Sequence, residues 1–279
     1  MKVLMLTPWD NAWIPLYRKV FEERGHEMVV AKNPKEMVEA DCVLHMWACL
    51  TAPVKGAKNI VFMRRFEFFD TDWEKYPWQY VDQVIFCNDF LRHEFDNRTG
   101  RGLRTSVVYN AADPDKWTYR ERGKGFRIGM ACHVHPKKNL PLAAQILLEL
   151  GEPYELHIAG AVQDDCTAMY LKYLCKRIYM YGHVKDMDEW WDDKDYCLST
   201  SISEGNPNNV IEAMAKGIRP VVHDWPGAED QFPKECRFKT IIGAVSQIRG
   251  DYGNGYRELA LKKYSLDNFR RVVDMVEGK

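Results

Sequence analysis

Short apolar runs alternate with segments of helical period from one end of the chain to the other. KVLMLT (2–7), EMVVAK (27–32), CVLHMWA (42–48), NIVFMR (59–64), QVIFCN (83–88) and SVVYNA (106–111) read as strands. Segments in the longer gaps, such as IPLYRKVFEERG (14–25), carry apolar residues at helical spacing and end on a glycine stop. Strands separated by helical crossovers pair in parallel, so the pattern predicts a Rossmann-like α/β first domain over residues 1–118. Tyr109 to Gly125 is polar, contains proline and glycine, and reads as a linker between domains. FRIGMAC (126–132), YELHIAG (154–160), RIYMYG (177–182), YCLSTS (196–201) and RPVVHD (219–224) then read as strands of a second α/β domain over residues 119–264, each trailed by a helix. The last helical segment, within 265–279, is expected to pack back onto the first domain. No internal repeat or low-complexity tract interrupts the alternation.

Composition narrows the class. The 279 residues suffice for two α/β domains, and 46% hydrophobic with 28% charged residues is ordinary for a globular enzyme. A net charge of −1 argues against coating nucleic acid by bulk charge. No run of eighteen apolar residues occurs, and MKVLMLTPWDNAW breaks at Pro8 and Asp10, so neither a signal peptide nor a membrane span is readable and a cytoplasmic protein is expected. The 8 cysteines form no Cys-x2-Cys pair, and several sit in apolar strand-like runs, so reduced thiols are expected. Cys132, His133 and His135 tempt a zinc reading, but neighbouring positions of one loop do not close a tetrahedron without a distant ligand pair. No metal is expected.

The most informative chemistry lies in STSISEGNPNNVIEAMAKGIRPVVHDW (199–225), where Glu204 and Glu212 flank a Gly-Asn-Pro-Asn-Asn turn that runs into a helix and a strand. Such a turn presents backbone N–H groups at the positive end of a helix dipole, which suits a phosphate, and the two carboxylates stand where sugar or ribose hydroxyls could be held. Glu212 has a second reading: with Asn209 as N-cap it would occupy N3 of a capping box.

This stretch resembles the Glu-x7-Glu signature of retaining glycosyltransferases of family 4, here E204-GNPNNVI-E212-AMAKG. The resemblance takes in LHIAG (156–160), YGHV (181–184), MDEWW, DYCLSTS and the basic segment IGMACHVHPKKNLPLAAQILLEL, and covers roughly residues 104–245. YNAADPDKW (109–117) is similar to the family's linker. It implies a GT-B fold, two Rossmann-like domains facing across a cleft, and metal-independent transfer of a sugar from a UDP- or GDP-linked donor, with no cofactor. By the same resemblance Lys138 and Glu204 act at the reaction centre and Glu204 holds sugar hydroxyls. Glu212 binds the ribose, Gly205, Asn206, Asn208 and Asn209 approach sugar and phosphates, and the base stacks near Tyr181, Gly182, His183 and Val184. Fixed cations there stabilise the charge that grows on the departing diphosphate. The family's arginine, five positions before the lysine, is His133 in this chain. Either His133 is protonated beside the diphosphate, or Lys137 or an arginine compensates, or activity is weak.

The first domain departs further. The family's Gly-Gly turn after the first strand is replaced by PWDNAW, with Trp9, Asp10 and Asn11 as candidate acceptor-side residues. For the histidine that often lines the reaction centre, His45 competes with the FMRRFEFF segment, and His45 also reads as a satisfied core histidine. Charges in an otherwise apolar strand are costly unless they lie at its carboxyl end, which points to Arg64, Arg65 and Glu67 as cleft residues. Two rival functions remain. One is glycosylation of hydroxymethylated DNA bases in the manner of bacteriophage enzymes, suggested by four arginines between Arg92 and Arg104. The other is non-catalytic binding of a nucleotide sugar, suggested by the loss of the family arginine and of the Gly-Gly turn.

Overall fold

The computed structural model describes residues 1–10, 13–100, 102–113 and 116–279. The chain divides into two compact units, Met1–Ala111 with Tyr264–Lys279, and Ala112–Lys263.

In the first unit the elements run β1 (Lys2–Leu6), α1 (Ile14–Glu22), β2 (Glu27–Ala31), β3 (Cys42–His45), β4 (Lys58–Met63), α2 (Arg65–Asp70), β5 (Gln83–Phe86), α3 (Asp89–Thr99) and β6 (Thr105–Val107). The sheet order is β2-β1-β3-β4-β5-β6, parallel throughout. Strands β1, β3 and β5 are almost wholly buried, which is why they read as near-continuous apolar runs.

The second unit contains β7 (Arg127–Ala131), α4 (Leu140–Leu150), β8 (Glu155–Ala159), α5 (Asp165–Leu174), β9 (Ile178–Gly182), α6 (Met187–Trp191), β10 (Tyr196–Ser199), α7 (Asn208–Ala215), β11 (Arg219–His223), β12 (Arg237–Phe238), α8 (Ile241–Arg249) and α9 (Tyr256–Lys263). Its parallel sheet has the order β12-β11-β10-β7-β8-β9. The chain winds one way from β7 to β9 and returns on the other side with β10, so the order reverses between β7 and β10. Loops leaving the carboxyl ends of adjacent strands part at such a point and leave room for a ligand.

The final helix, α10 (Asp267–Glu277), belongs to the first unit. Phe269, Val272, Val273 and Val276 repeat at helical spacing and form one apolar stripe, buried against Tyr17, Val20 and Phe21 of α1. The Tyr17 and Phe269 rings stack at 3.9 Å between centroids.

The unit boundary lies before Thr118 because Trp117 is buried and its carbonyl accepts a hydrogen bond from Arg257 at 3.2 Å, both in the second unit. The charged FMRRFEFF segment is not a strand beyond Met63; Arg64 caps α2 instead, which carries Arg65 and Glu67 onto a helix. No described helix is long and apolar enough to cross a membrane.

Candidate active site

The loops leaving β7 and β10 are tied to each other across the point where the strand order reverses. The Thr200 hydroxyl donates to the Lys138 carbonyl at 2.7 Å, and the Ile202 amide donates to the Lys137 carbonyl at 3.1 Å. This fixes the Lys138 side chain beside Glu204, and Nζ donates to Oε1 in a close ion pair while the Ser201 hydroxyl adds a bond to the same oxygen at 2.7 Å. Burial pushes the Glu204 carboxyl up, but Lys138 and Ser201 outweigh it and hold the group below the usual carboxylate range.

The turn that follows enters α7, whose N-cap is Pro207, with Asn208 and Asn209 as its first residues. Glu212 therefore lies beyond N3, and the capping-box reading fails. Its carboxylate makes no hydrogen bond or ion pair among the described residues. Burial pushes it up to about 7, with Lys116 opposing.

Together these elements enclose a pocket of about 400 Å³ lined by Ala131, Cys132, His133, Lys138, Ala159, Gly160, His183, Val184, Met187, Glu204, Asn206, Pro207, Asn208, Asn209 and Glu212. A cation, two carboxylates in opposite environments and the positive end of a helix dipole thus share one concavity, a composition suited to a phosphorylated, hydroxyl-rich ligand.

His133 is exposed at the pocket rim, and its Nδ1 accepts the Ala161 amide at 3.2 Å. Partial burial and the charges of Lys138 and Lys137 hold its pKa below the ordinary histidine value. With Nδ1 taken by the Ala161 amide, Nε2 is the nitrogen left to carry a proton, and the downward shift works against the imidazolium alternative.

Gly160 and Met187 escaped the sequence reading. A Cβ on Gly160, at φ +153°, would lie 2.1 Å from the Cys132 carbonyl oxygen and 2.8 Å from the His133 nitrogen. Only glycine allows β8 to end against the His133 loop. The glycine ending LHIAG was the available signal.

Gly182 and Gly205 shape the site without lining it. The Gly182 carbonyl accepts from the Gly160 amide at 2.7 Å, and the Gly205 carbonyl accepts from Gln231 Nε2 at 2.8 Å. Tyr181 turns elsewhere: its hydroxyl donates to His157 Nδ1 at 2.8 Å and its ring meets Trp190 edge-on. Of the segment expected at the base, His183 and Val184 alone reach the pocket.

In the first unit the candidate residues are drawn into packing. His45 is fully buried, with Nε2 bonded to Asn59 Oδ1 at 3.0 Å and Nδ1 to the Thr51 hydroxyl at 2.8 Å. That is the core-histidine reading, and the catalytic one falls because neither nitrogen is left for a substrate. The Arg64 guanidinium lies 4.1 Å from the Trp13 ring centroid and 5.3 Å from that of Trp47, and its Nε donates to the Met46 carbonyl at 3.3 Å. Glu67 has no exposed surface and accepts the Arg64 amide at 3.1 Å, so it is a buried residue rather than one facing a cleft. Arg65 pairs with Asp70 at 2.6 Å, Asp10 pairs with Lys32 at 2.7 Å, and Trp9 is exposed, edge-on to Trp47 at 4.9 Å. Asn11 lies outside the described residues. On α3, Arg92 pairs with Asp89 and Asp96, and Arg98 with Glu94, so their charge is offset locally.

Residues 125–238 match the family model described as glycosyl transferases group 1. The matched stretch lies within the second unit, and every residue lining the 400 Å³ pocket falls inside it. Solved glycosyltransferases share the arrangement of both sheets. The lipopolysaccharide outer core galactosyltransferase WaaB in its apo form is similar at TM-score 0.75 and 16% identity over 100% of this chain and 99% of its own. The sucrose-phosphate synthase of Thermosynechococcus elongatus matches at 0.75 and 8% identity, over 100% and 98%. Alr3699/HepE of Anabaena, solved with UDP and glucose, matches at 0.73 and 12% identity, over 100% and 99%. The fold is GT-B: two parallel six-stranded sheets, each flanked by helices.

Proposed function

We propose that this chain is a retaining, metal-independent glycosyltransferase whose nucleoside-diphosphate sugar binds in the pocket of the group 1 domain, with a UDP-linked donor preferred. The reading is carried by one observation: the Lys138–Glu204 pair, the unengaged Glu212 carboxylate and the N-terminus of α7 all open into one cavity where the strand order reverses. The HepE complex with UDP and glucose supports the choice of nucleotide.

The diphosphate would lie between the His133–Lys138 loop and the Gly205–Asn209 turn, with Glu212 accepting from ribose hydroxyls and Glu204 from the sugar. In transfer, the bond from the anomeric carbon to the diphosphate oxygen breaks and the acceptor hydroxyl oxygen bonds to that carbon. The hydroxyl proton passes to the departing diphosphate. Lys138 and the first turn of α7 would then face the oxygen on which charge grows, and would favour the transition state over the ground state.

Release of nucleoside diphosphate from UDP-, GDP- and ADP-sugars, with and without EDTA, tests the reading. UDP release insensitive to EDTA, and a product of unchanged anomeric configuration by NMR, are expected. A chain that binds none of these donors overturns it.

A further inference from the structure

Helix α5 carries two apolar stripes on opposite sides. Ala168 and Leu171 face inward and are buried, and the helix packs on α4. Cys166, Met169, Tyr170 and Tyr173 recur at the spacing of one helix face, yet that face is turned to solvent. Met169 is 71% exposed, Tyr170 39% and Tyr173 90%, and Cys166 is exposed as well. A surface helix ordinarily turns polar residues outward, so this second stripe marks a contact surface.

The charges beside the stripe say what covers it. Asp165 and Lys172 are seven residues apart, about two turns, and so share one flank, with the acid at the start of the helix and the base near its end. Lys176 adds a second cation just beyond the end, and none of the three forms an ion pair among the described residues. Two copies of α5 packed antiparallel about a two-fold axis would set Met169 of each copy on Tyr170 of the other, and Cys166 on Tyr173. The same flank then lies on the same side in both copies, so each Asp165 falls beside the other copy's Lys172. A parallel pair would oppose like charges.

We propose that this face of α5 is a dimer interface between two copies of the chain, with the helices antiparallel and the two-fold axis between Met169 and Tyr170. The proposal does not rest on the transferase reading, since no residue of α5 lines the donor pocket. A helix of 10 residues is about 15 Å long, and two such stripes bury on the order of 1,000 Å², the low end for a specific interface. The dimer is therefore a reversible one, with a Kd of about 10–100 µM.

Sedimentation velocity from about 1 to about 300 µM, which brackets that range, tests it. A concentration-dependent dimer is expected in the wild type, weakened at least about tenfold in Met169→Glu and in Tyr173→Asp. Both side chains are exposed, so the melting temperature at the lowest concentration should be unchanged. Asp165→Lys and Lys172→Glu should each weaken the dimer about threefold to tenfold, and combining them in one chain should restore it. Register is read from Tyr173→Cys oxidised with diamide, which takes up the two thiol hydrogens. A disulfide between Cys166 of one copy and position 173 of the other is expected by peptide mapping. Cross-links of each position only to itself overturn the antiparallel arrangement. A monomer throughout the range, or a dimer indifferent to Met169→Glu and Tyr173→Asp, overturns the interface. A monomeric wild type that floats with phosphatidylcholine–phosphatidylglycerol vesicles, and loses them in Met169→Glu, assigns the stripe to a lipid surface instead.

Discussion

Glu67 in the first unit and Glu212 in the second are both pushed up to about 7, and burial is the main cause for each. Beyond that they differ. Glu67 has no exposed surface, accepts the Arg64 amide, and sits under a guanidinium packed between Trp13 and Trp47. Glu212 opens into a pocket that also holds Lys138 and Glu204. A strongly shifted carboxyl is therefore not in itself a mark of function: the same desolvation acts on a group sealed in packing and on one left facing a site. What separates them is access. In the first unit the charged residues at the strand ends are consumed by neighbours; in the second they are arranged around an empty volume.

The largest effect should come from removing the cation on each side. Lys138→Ala takes away the cation proposed for the diphosphate and should lower kcat/KM by about 10²–10³-fold. Arg64→Ala should do the reverse, destabilising the fold by ~3 kcal/mol, because the stacked guanidinium and its carbonyl bond are lost. UDP affinity should be retained in Arg64→Ala. Chemical denaturation and donor kinetics on both variants check the contrast, and a loss of turnover without loss of stability in Arg64→Ala would break it.

The two glutamates give the next test. Each folded pKa lies above the unfolded value of about 4.3, so between about pH 4.3 and 7 the folded chain keeps a proton that the unfolded chain has released. Stability contributed by the protonated form is lost as pH rises through that window, and the cost is complete by pH 8. Glu67→Gln and Glu212→Gln should therefore each stabilise the protein at pH 8 by on the order of 1–3 kcal/mol, with little gain at pH 4. Donor binding should tell them apart. Glu212→Gln removes a carboxylate acceptor for ribose and should weaken UDP binding at pH 8 by about tenfold; Glu67→Gln should leave it unchanged. Equal donor affinity in the two variants would remove the ribose-binding role of Glu212.

The alternation of apolar runs made the two parallel sheets legible, because doubly covered strands show themselves as continuous hydrophobic stretches. The pocket was legible through the Gly-Asn-Pro-Asn-Asn turn and the Pro-Lys-Lys loop, of which Asn206, Pro207, Asn208, Asn209 and Lys138 line one cavity. Local pattern failed where two arrangements fit the same letters. Asn209 and Pro207 are both acceptable before a helix, and only the backbone decides which one caps α7, and with it the meaning of Glu212. RRFE looked like charge placed in a strand because nothing in the letters marks the end of β4 at Met63. Tyr181 was expected at the base as part of the segment Tyr181 to Val184, yet alternation along β9 turns it onto the face held by His157. The two-residue β12, Arg237–Phe238, is too short to carry any period.

The smallest effect concerns His133, where the chain departs from the family it resembles. Its Nδ1 already holds the Ala161 amide, and Lys137, Lys138 and His135 oppose a further positive charge. The folded pKa is thus below the usual 6.5, and the ring remains neutral through the physiological range. A neutral Nε2–H adds one ordinary hydrogen bond to a diphosphate, so His133→Ala should weaken UDP binding only about threefold to tenfold. Because Glu212 is pushed up to about 7 in the same pocket, the comparison belongs in a Glu212→Gln background. There the wild-type His133 and His133→Ala affinity curves should run parallel. His133→Arg, which places a permanent cation at the rim, should lie above both at every pH. A His133 curve that climbs away from the alanine curve as pH falls toward 6.5 would show that the bound diphosphate protonates the ring and breaks the Ala161 bond. The same titration followed by NMR of the imidazole, with and without UDP, locates the proton directly.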